Sequence, residues 1–271
     1  MSDKDPFEHP WRLIRVTLNE AVAEVALARP EARNALSVAL IEELTEVARM
    51  LRLRTDVRAV ILTGAESFFS AGADLRERTR RLDADGLLEA RRLVMGGPDM
   101  CRAWDEIEAV TIAAIEGFCI GGAAALAVSC DFRIMGRSAS LRLPEVPLGM
   151  NMSWRVLPRI VALMGPARAK RFVMFGEALD GPASLDQGLA DEVAEDGGAL
   201  AAARAFAERV AALPPLSVRM TKEAINAIAG ANAHASIYMD RDQYLLTSRS
   251  EDYREGILAF REKRKPNFTG R

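Results

Sequence analysis

Two short apolar runs that each lead into a glycine-bearing bend constrain this chain most. Ala59–Leu62 runs through Thr63-Gly64 to FSAGADL (Phe69–Leu75), and Ile107–Ile115 runs into GFCIGGAAA (Gly117–Ala125). Short apolar runs closed by glycine read as buried strands, and glycine lets a backbone approach a ligand closely. Both bends therefore look like places where main-chain N–H groups meet a ligand oxygen. A third segment, LPEVPLG (Leu143–Gly149), sets one carboxylate, Glu145, in an otherwise apolar stretch. The combination suits stabilisation of an oxyanion on an acyl group with proton movement beside it.

The hydrophobic period sets the fold class. Leu13–Leu18 and Val22–Leu27 alternate around Asn19-Glu20, which predicts a β-hairpin. Pro30 and the polar run to Asn34 break it. Ser37 then caps a helix whose Leu40, Ile41, Leu44, Val47, Ala48 and Leu51 share one face. Strand character returns over Ile107–Ile115, Gly121-Gly122 turn into a small-residue helix (Ala123–Ser129), and Phe132–Met135 is a further strand. From Trp154 the pattern is helical. Gly165-Pro166 opens a helix to Phe175 and Gly181-Pro182 another. Ala199–Leu213 stops at Pro214-Pro215, Ser217 caps the next helix, and Tyr238–Leu246 and Tyr253–Arg264 continue in helices.

Strands alternating with helices predict an α/β core. A composition shift at Gly197-Gly198 divides the chain into an N-terminal tail (1–11), a core (12–197) and a C-terminal helical region (198–271). Arg76–Arg91 is charge-dense without a strong apolar face. It reads as an exposed helix or loop beside the first bend, either a solvated surface helix or a lid.

The chain has 271 residues, enough for a sizeable core without staples. A net charge of −2 gives no global field for nucleic acid or anionic lipid, so neither is expected as a partner. Cys101, Cys119 and Cys130 are odd in number, form no CxxC pair and have only His9 and His234 to join them. That argues against a disulfide framework and a metal site, and for reduced core thiols in a cytoplasmic protein. The charged, proline-broken start MSDKDPFEHP lacks a secretory h-region. Ala109–Cys130 is apolar, but Glu116 within it makes a membrane span costly.

Gly117, Gly121 and Gly122 do not fit a dinucleotide GxGxxG, no Walker lysine follows either bend, and no GxSxG elbow occurs. What the segments do match is a series. RPEARNALS (Arg29–Ser37), ILTGAESFFSAGADL (Ile61–Leu75), AIEGFCIGGAAALAVSCDFRI (Ala114–Ile134), LPEVPLG and GILAFREKRKPNF (Gly256–Phe268) occur in this order. With them the chain resembles the crotonase, or enoyl-CoA hydratase/isomerase, superfamily from about residue 12 to 268.

The resemblance implies an α/β, crotonase-like spiral of ββα units with a C-terminal helical region used in trimerisation, as a homotrimer or a dimer of trimers. It implies an acyl-CoA substrate, with coenzyme A entering as part of that substrate and no permanently bound cofactor. The thioester oxygen would be held by the N–H groups of Ala73 and Gly122. Coenzyme A would meet backbone near Arg33, Ala35 and Ala71, with Asp74, Leu75 and Gly121 close by. Asp74 also reads as a cap for the segment after it. Phe260 and Lys263 would reach coenzyme A, often that of a neighbouring subunit. The basic run Arg261–Lys265 suits a phosphate and equally a solvated helix end.

The sequence departs from the hydratase pattern at one position. Hydratases of the superfamily use two glutamates around a water; the second falls on Glu145 and the first on Ala125, which has no titratable group. An absent acid/base group typically costs about 10²–10⁴ in rate. One base and two N–H donors suffice to shift a double bond through an enolate, so isomerisation is favoured over fast hydration. Alternatives are hydration with retro-aldol cleavage of an aryl acyl-CoA, for which Tyr238 or Tyr244 would hold a phenol, and a catalytically weak CoA-binding homologue. The apolar neighbours of Glu145 predict partial burial and a raised pKa. Met150, Met152 and Trp154 suit an acyl pocket, but the favoured reading is core filler. Glu116 and Asp131 are further carboxylates near the turns.

Overall fold

The first hairpin forms in the register its alternation predicts. In the computed structural model, which describes residues 5–74, 77 and 86–271, β1 (Ile14–Asn19) pairs antiparallel with β2 (Val22–Leu27), Val16 opposite Val25. Ile14, Val16, Ala23, Val25 and Leu27 turn inward and are buried. β3 (Ala59–Thr63), β4 (Val110–Ile115), β6 (Phe132–Gly136) and β9 (Glu192–Ala194) then add in parallel. The described residues give a six-stranded sheet in the order β1-β2-β3-β4-β6-β9. Every residue of β3 and β4 is buried, as a parallel sheet covered on both faces requires.

Among the described residues the helices are α1 (Val38–Arg52), α2 (Leu87–Leu93), α3 (Gly96–Asp105), α4 (Gly122–Val128), α5 (Val156–Phe175), α6 (Gly181–Asp186), α7 (Ala199–Ala211), α8 (Pro215–Ala229), α9 (His234–Thr247) and α10 (Glu251–Glu262). The Ser37 hydroxyl accepts from Leu40 N–H and caps α1. Leu40, Leu44 and Leu51 of α1 share one core with Met100 and Trp104 of α3. The Trp104 indole N–H donates to the Leu44 carbonyl at 3.0 Å. On the other side of the sheet, Ala203 and Ala207 of α7 pack with Ile61, Ile112 and Ile134. Thus α7 shares the sheet's core although it follows the composition shift at Gly198.

A second, three-stranded sheet, β5 (Phe118–Ile120), β7 (Ser140–Arg142) and β8 (Leu179–Asp180), runs in the order β5-β7-β8. Ser70 bridges in parallel to Cys119, and Leu36 to Ala73. Each turn of chain therefore passes through the first sheet, bends, and lies beside the second before entering a helix. This is the expected α/β spiral of ββα units.

Three boundaries differ from expectation. α5 begins at Val156, and Gly165-Pro166 is a kink inside the helical run, where Gly165 takes φ 76° and ψ 164°. Glycine permits that backbone and proline accepts the lost N–H bond. α8 begins at Pro215 without a side-chain cap, which puts Ser217 inside it. The strand predicted from Ile107 starts at Val110. Of the charge-dense stretch, 76 and 78–85 lie outside the described residues; Leu87 and Leu88 of α2 are exposed.

Candidate active site

The two bends lie side by side because their backbones are stitched together. Phe69 and Ser70 N–H donate to the Phe118 carbonyl, and Ile120 N–H donates to that of Ser70 at 3.2 Å. At the tip, Gly72 has φ 85°, and a Cβ there would lie 2.3 Å from the Ile120 oxygen and 3.5 Å from the Gly122 nitrogen. Glycine alone allows this approach. From behind, buried Asn34 donates its side-chain amide to the Phe69 carbonyl at 3.0 Å. The Ser70 hydroxyl donates to the Asn34 carbonyl and accepts from Gly72 N–H. Leu36 N–H donates to the Gly72 carbonyl and Asp74 N–H to that of Leu36.

Two candidate donors, Ala73 and Gly122, border the same cleft. Gly122 is the first residue of α4, where a helix leaves its N–H without an internal partner. Ala73 lies just past the Gly72 tip. Among the described residues neither N–H donates to a protein acceptor, and both residues line one cleft together with Glu145. Gly121 contributes differently: its N–H is used by the Arg142 carbonyl at 2.8 Å, and a Cβ on it would fall 2.7 Å from Glu145 Oε1. The absent side chain makes room for the carboxylate. Glu145 opens a short 3-10 turn (Val146–Leu148) and its carbonyl accepts from Leu148 and Met150 N–H. It is half-buried, with Oε2 shut off from solvent.

The walls of the cleft include Leu36, Ile41, Val94, Gly97, Met152, Trp154 and Tyr244. Met152 and Trp154 join the core as favoured and line the cleft as well, while Met150 is buried and absent from its lining. Tyr244 is in the lining; Tyr238 is exposed elsewhere. Ala125 is fully buried within α4 and presents only a methyl group.

Beside the cleft is a shallower hollow bordered by Arg33 and Ala35, with Asp74 and Glu77 common to both. Ala71 N–H donates to the Arg33 carbonyl at 3.0 Å, so these three residues do come together. Asp74 pairs with Arg29 at 3.0 Å, and Glu77 accepts from Val38 N–H at the start of α1. Leu75 lies outside the described residues. Phe260 and Lys263 are exposed at the end of α10 and take no part in this chain's own cleft. Glu116 accepts from Ala199 N–H at the start of α7, and Asp131 binds Thr111 and Lys222. Both are occupied in holding the fold together.

A family profile described as enoyl-CoA hydratase/isomerase matches residues 17–271. The chain belongs to the enoyl-CoA hydratase/isomerase family. Among its relatives, the 2,3-dehydroadipyl-CoA hydratase of Escherichia coli is 30% identical, covering 94% of this chain and 98% of that one. The short-chain-enoyl-CoA hydratase of Clostridium acetobutylicum is 31% identical, with coverage of 90% and 92%. Among solved structures, an enoyl-CoA hydratase/isomerase from Pseudoalteromonas atlantica superposes with a TM-score of 0.84 at 27% identity, over 95% of this chain and 100% of that one. An enoyl-CoA hydratase from Bacillus anthracis gives 0.76 at 32% identity, over 96% and 100%.

Proposed function

We propose that this family member binds an acyl-CoA thioester, converts it to an enolate and shifts its double bond. The thioester oxygen takes hydrogen bonds from Ala73 and Gly122 N–H. Fixed backbone donors favour the charge that develops on that oxygen, and one such donor is typically worth about 3–4 kcal/mol. Glu145 removes the proton from the α-carbon and returns it to the γ-carbon. Coenzyme A lies toward Arg33, Ala35 and Ala71. The observation that carries the reading is the single cleft shared by the two amides and the Glu145 carboxylate. Asp74, which pairs with Arg29, and Glu77, which accepts from Val38 N–H, also border it.

Ala125 argues against fast hydration, because no carboxylate stands there to hold a second proton of the water. Purified protein is therefore expected to convert 3-enoyl-CoA faster than it hydrates 2-enoyl-CoA, followed by absorbance. Glu145→Gln is expected to slow exchange of the α-proton with heavy water by about 10²–10⁴-fold. Undiminished exchange would remove Glu145 from the role. Tyr244 in the lining supports a second reading, retro-aldol cleavage of a hydroxyaryl acyl-CoA. Release of an aryl aldehyde would favour it.

The same reading includes a homotrimer or dimer of trimers. Its support is the exposed apolar side chains of the C-terminal helices, among them Leu216, Met220, Ile225 and Ile228 of α8 and Leu258 and Phe260 of α10. Phe260 and Lys263 of one protomer would then reach a neighbour's coenzyme A. Light scattering should give a mass that is a threefold multiple of 29.6 kDa; a monomer would refute it.

A further inference from the structure

We propose that Trp154 decides which acyl groups the cleft admits, and that the turn carrying it is held in place by Asp240 for that purpose. The inference rests on the acyl-CoA reading and narrows it to thioesters whose acyl group is short or flat.

The first observation is backbone strain. Trp154 and Arg155 are consecutive non-glycine residues in the left-handed region, at φ 69° and 62°. Such residues are strained, persist only where the surroundings over-determine them, and gather at functional sites. The second is the clamp. Asp240 of α9, itself buried, accepts from Arg155 N–H at 2.9 Å and from the Ser153 hydroxyl at 3.2 Å. Both residues flanking Trp154 are thus tied to one carboxylate.

The third observation is where the indole goes. A Cβ on Gly97 would lie 2.2 Å from Trp154 Cε2, and one on Gly122 would lie 2.4 Å from Cζ3. The ring rests on bare backbone of α3 and α4, against Gly122, which also lines the cleft. Trp154 lines the cleft but not the hollow by Arg33 and Ala35. Leu36, Ile41, Val94 and Met152 make the remaining walls mostly apolar.

A wall fixed on two glycines and one clamp has little freedom to recede. In a hydrophobic pocket, one methylene too many is worth about 10- to 200-fold in discrimination. Flat, conjugated acyl groups escape that penalty because they stack against the indole.

The test uses saturated acyl-CoAs from butyryl to decanoyl, which bind without reacting, titrated calorimetrically into wild type, Trp154→Ala and Trp154→Phe. Wild type should lose at least about ten-fold in affinity beyond a cutoff length. Trp154→Ala should move the cutoff to longer chains, and Trp154→Phe should move it less; the latter also covers a failure of the alanine variant to fold. Asp240 is a positioning residue, so Asp240→Ala should shift the cutoff the same way, while Asp240→Asn, which keeps an acceptor oxygen, should restore the wild-type profile. Free coenzyme A should bind all of them alike. Thioesters bound with one unchanged length profile in wild type and both Trp154 variants would overturn the proposal and leave the acyl-CoA reading standing. Failure of wild type to bind coenzyme A or any thioester would overturn both.

Discussion

A methyl group at position 72 would meet the Ile120 carbonyl oxygen at 2.3 Å, on a backbone at φ 85° that L-residues seldom adopt. Gly72→Ala therefore has to push the two bends apart, since the obstacle is main chain and cannot rotate away. The expected cost is about 1–3 kcal/mol in chemical denaturation, with kcat falling more than KM rises, because the separation of the Ala73 and Gly122 amides changes. A folded variant with unchanged kcat would contradict this account. The two bends and Glu145 stand out in the sequence because glycines or apolar neighbours mark them, whereas Ala73 and Gly122 as donors are what the family resemblance implies. Trp154 does not stand out. Next to Met150 and Met152 an indole reads as core, and what distinguishes it is contact with Gly97 and Gly122, far away in the chain.

Whole elements add constraints that no single residue carries. The C-terminal segment folds back along α10: Asn267 N–H donates to Glu255 at 2.8 Å, and Thr269 and Gly270 N–H donate to Asp252. Arg264 forms a two-pronged ion pair with Glu255. The Arg264 guanidinium, helped by Asn267 N–H, holds the Glu255 carboxyl down at about 2, against an ordinary 4.5. The folded value lies below the unfolded one, so the contribution is complete above pH 4.5 and fades as pH falls toward 2. Protection of the Asn267 and Thr269 amides, measured against their intrinsic exchange rates, should fall across that window more than in β3 or β4, and Glu255→Gln should flatten the dependence. An acid-insensitive tail in wild type would refute the anchor.

The hairpin, α1, β3, β4, β6 and α7 were legible because their apolar periods are long enough to read. β5, β7, β8 and β9 have two or three residues each, too few for any period, and exist because neighbouring strands supply their partners. Ser217 misled for a related reason: Pro215 already starts α8, so no serine cap is called for.

At the scale of the molecule, the spiral closes its thiols in. Cys101 and Cys130 are pushed up to about 12 by burial, and Cys119 well above its ordinary value for the same reason. Native protein should leave all three unmodified by a thiol-specific disulfide reagent at pH 8, and denatured protein should react fully; a fast native phase would show a thiol the fold does not protect. The candidate donors Ala73 and Gly122 follow Ser70 and Ile120, which are hydrogen-bonded neighbours. Under the proposed reading, a lineage built on this scaffold can trade one acyl preference for another at single wall residues while the hydrogen bonds that join the two bends stay as they are.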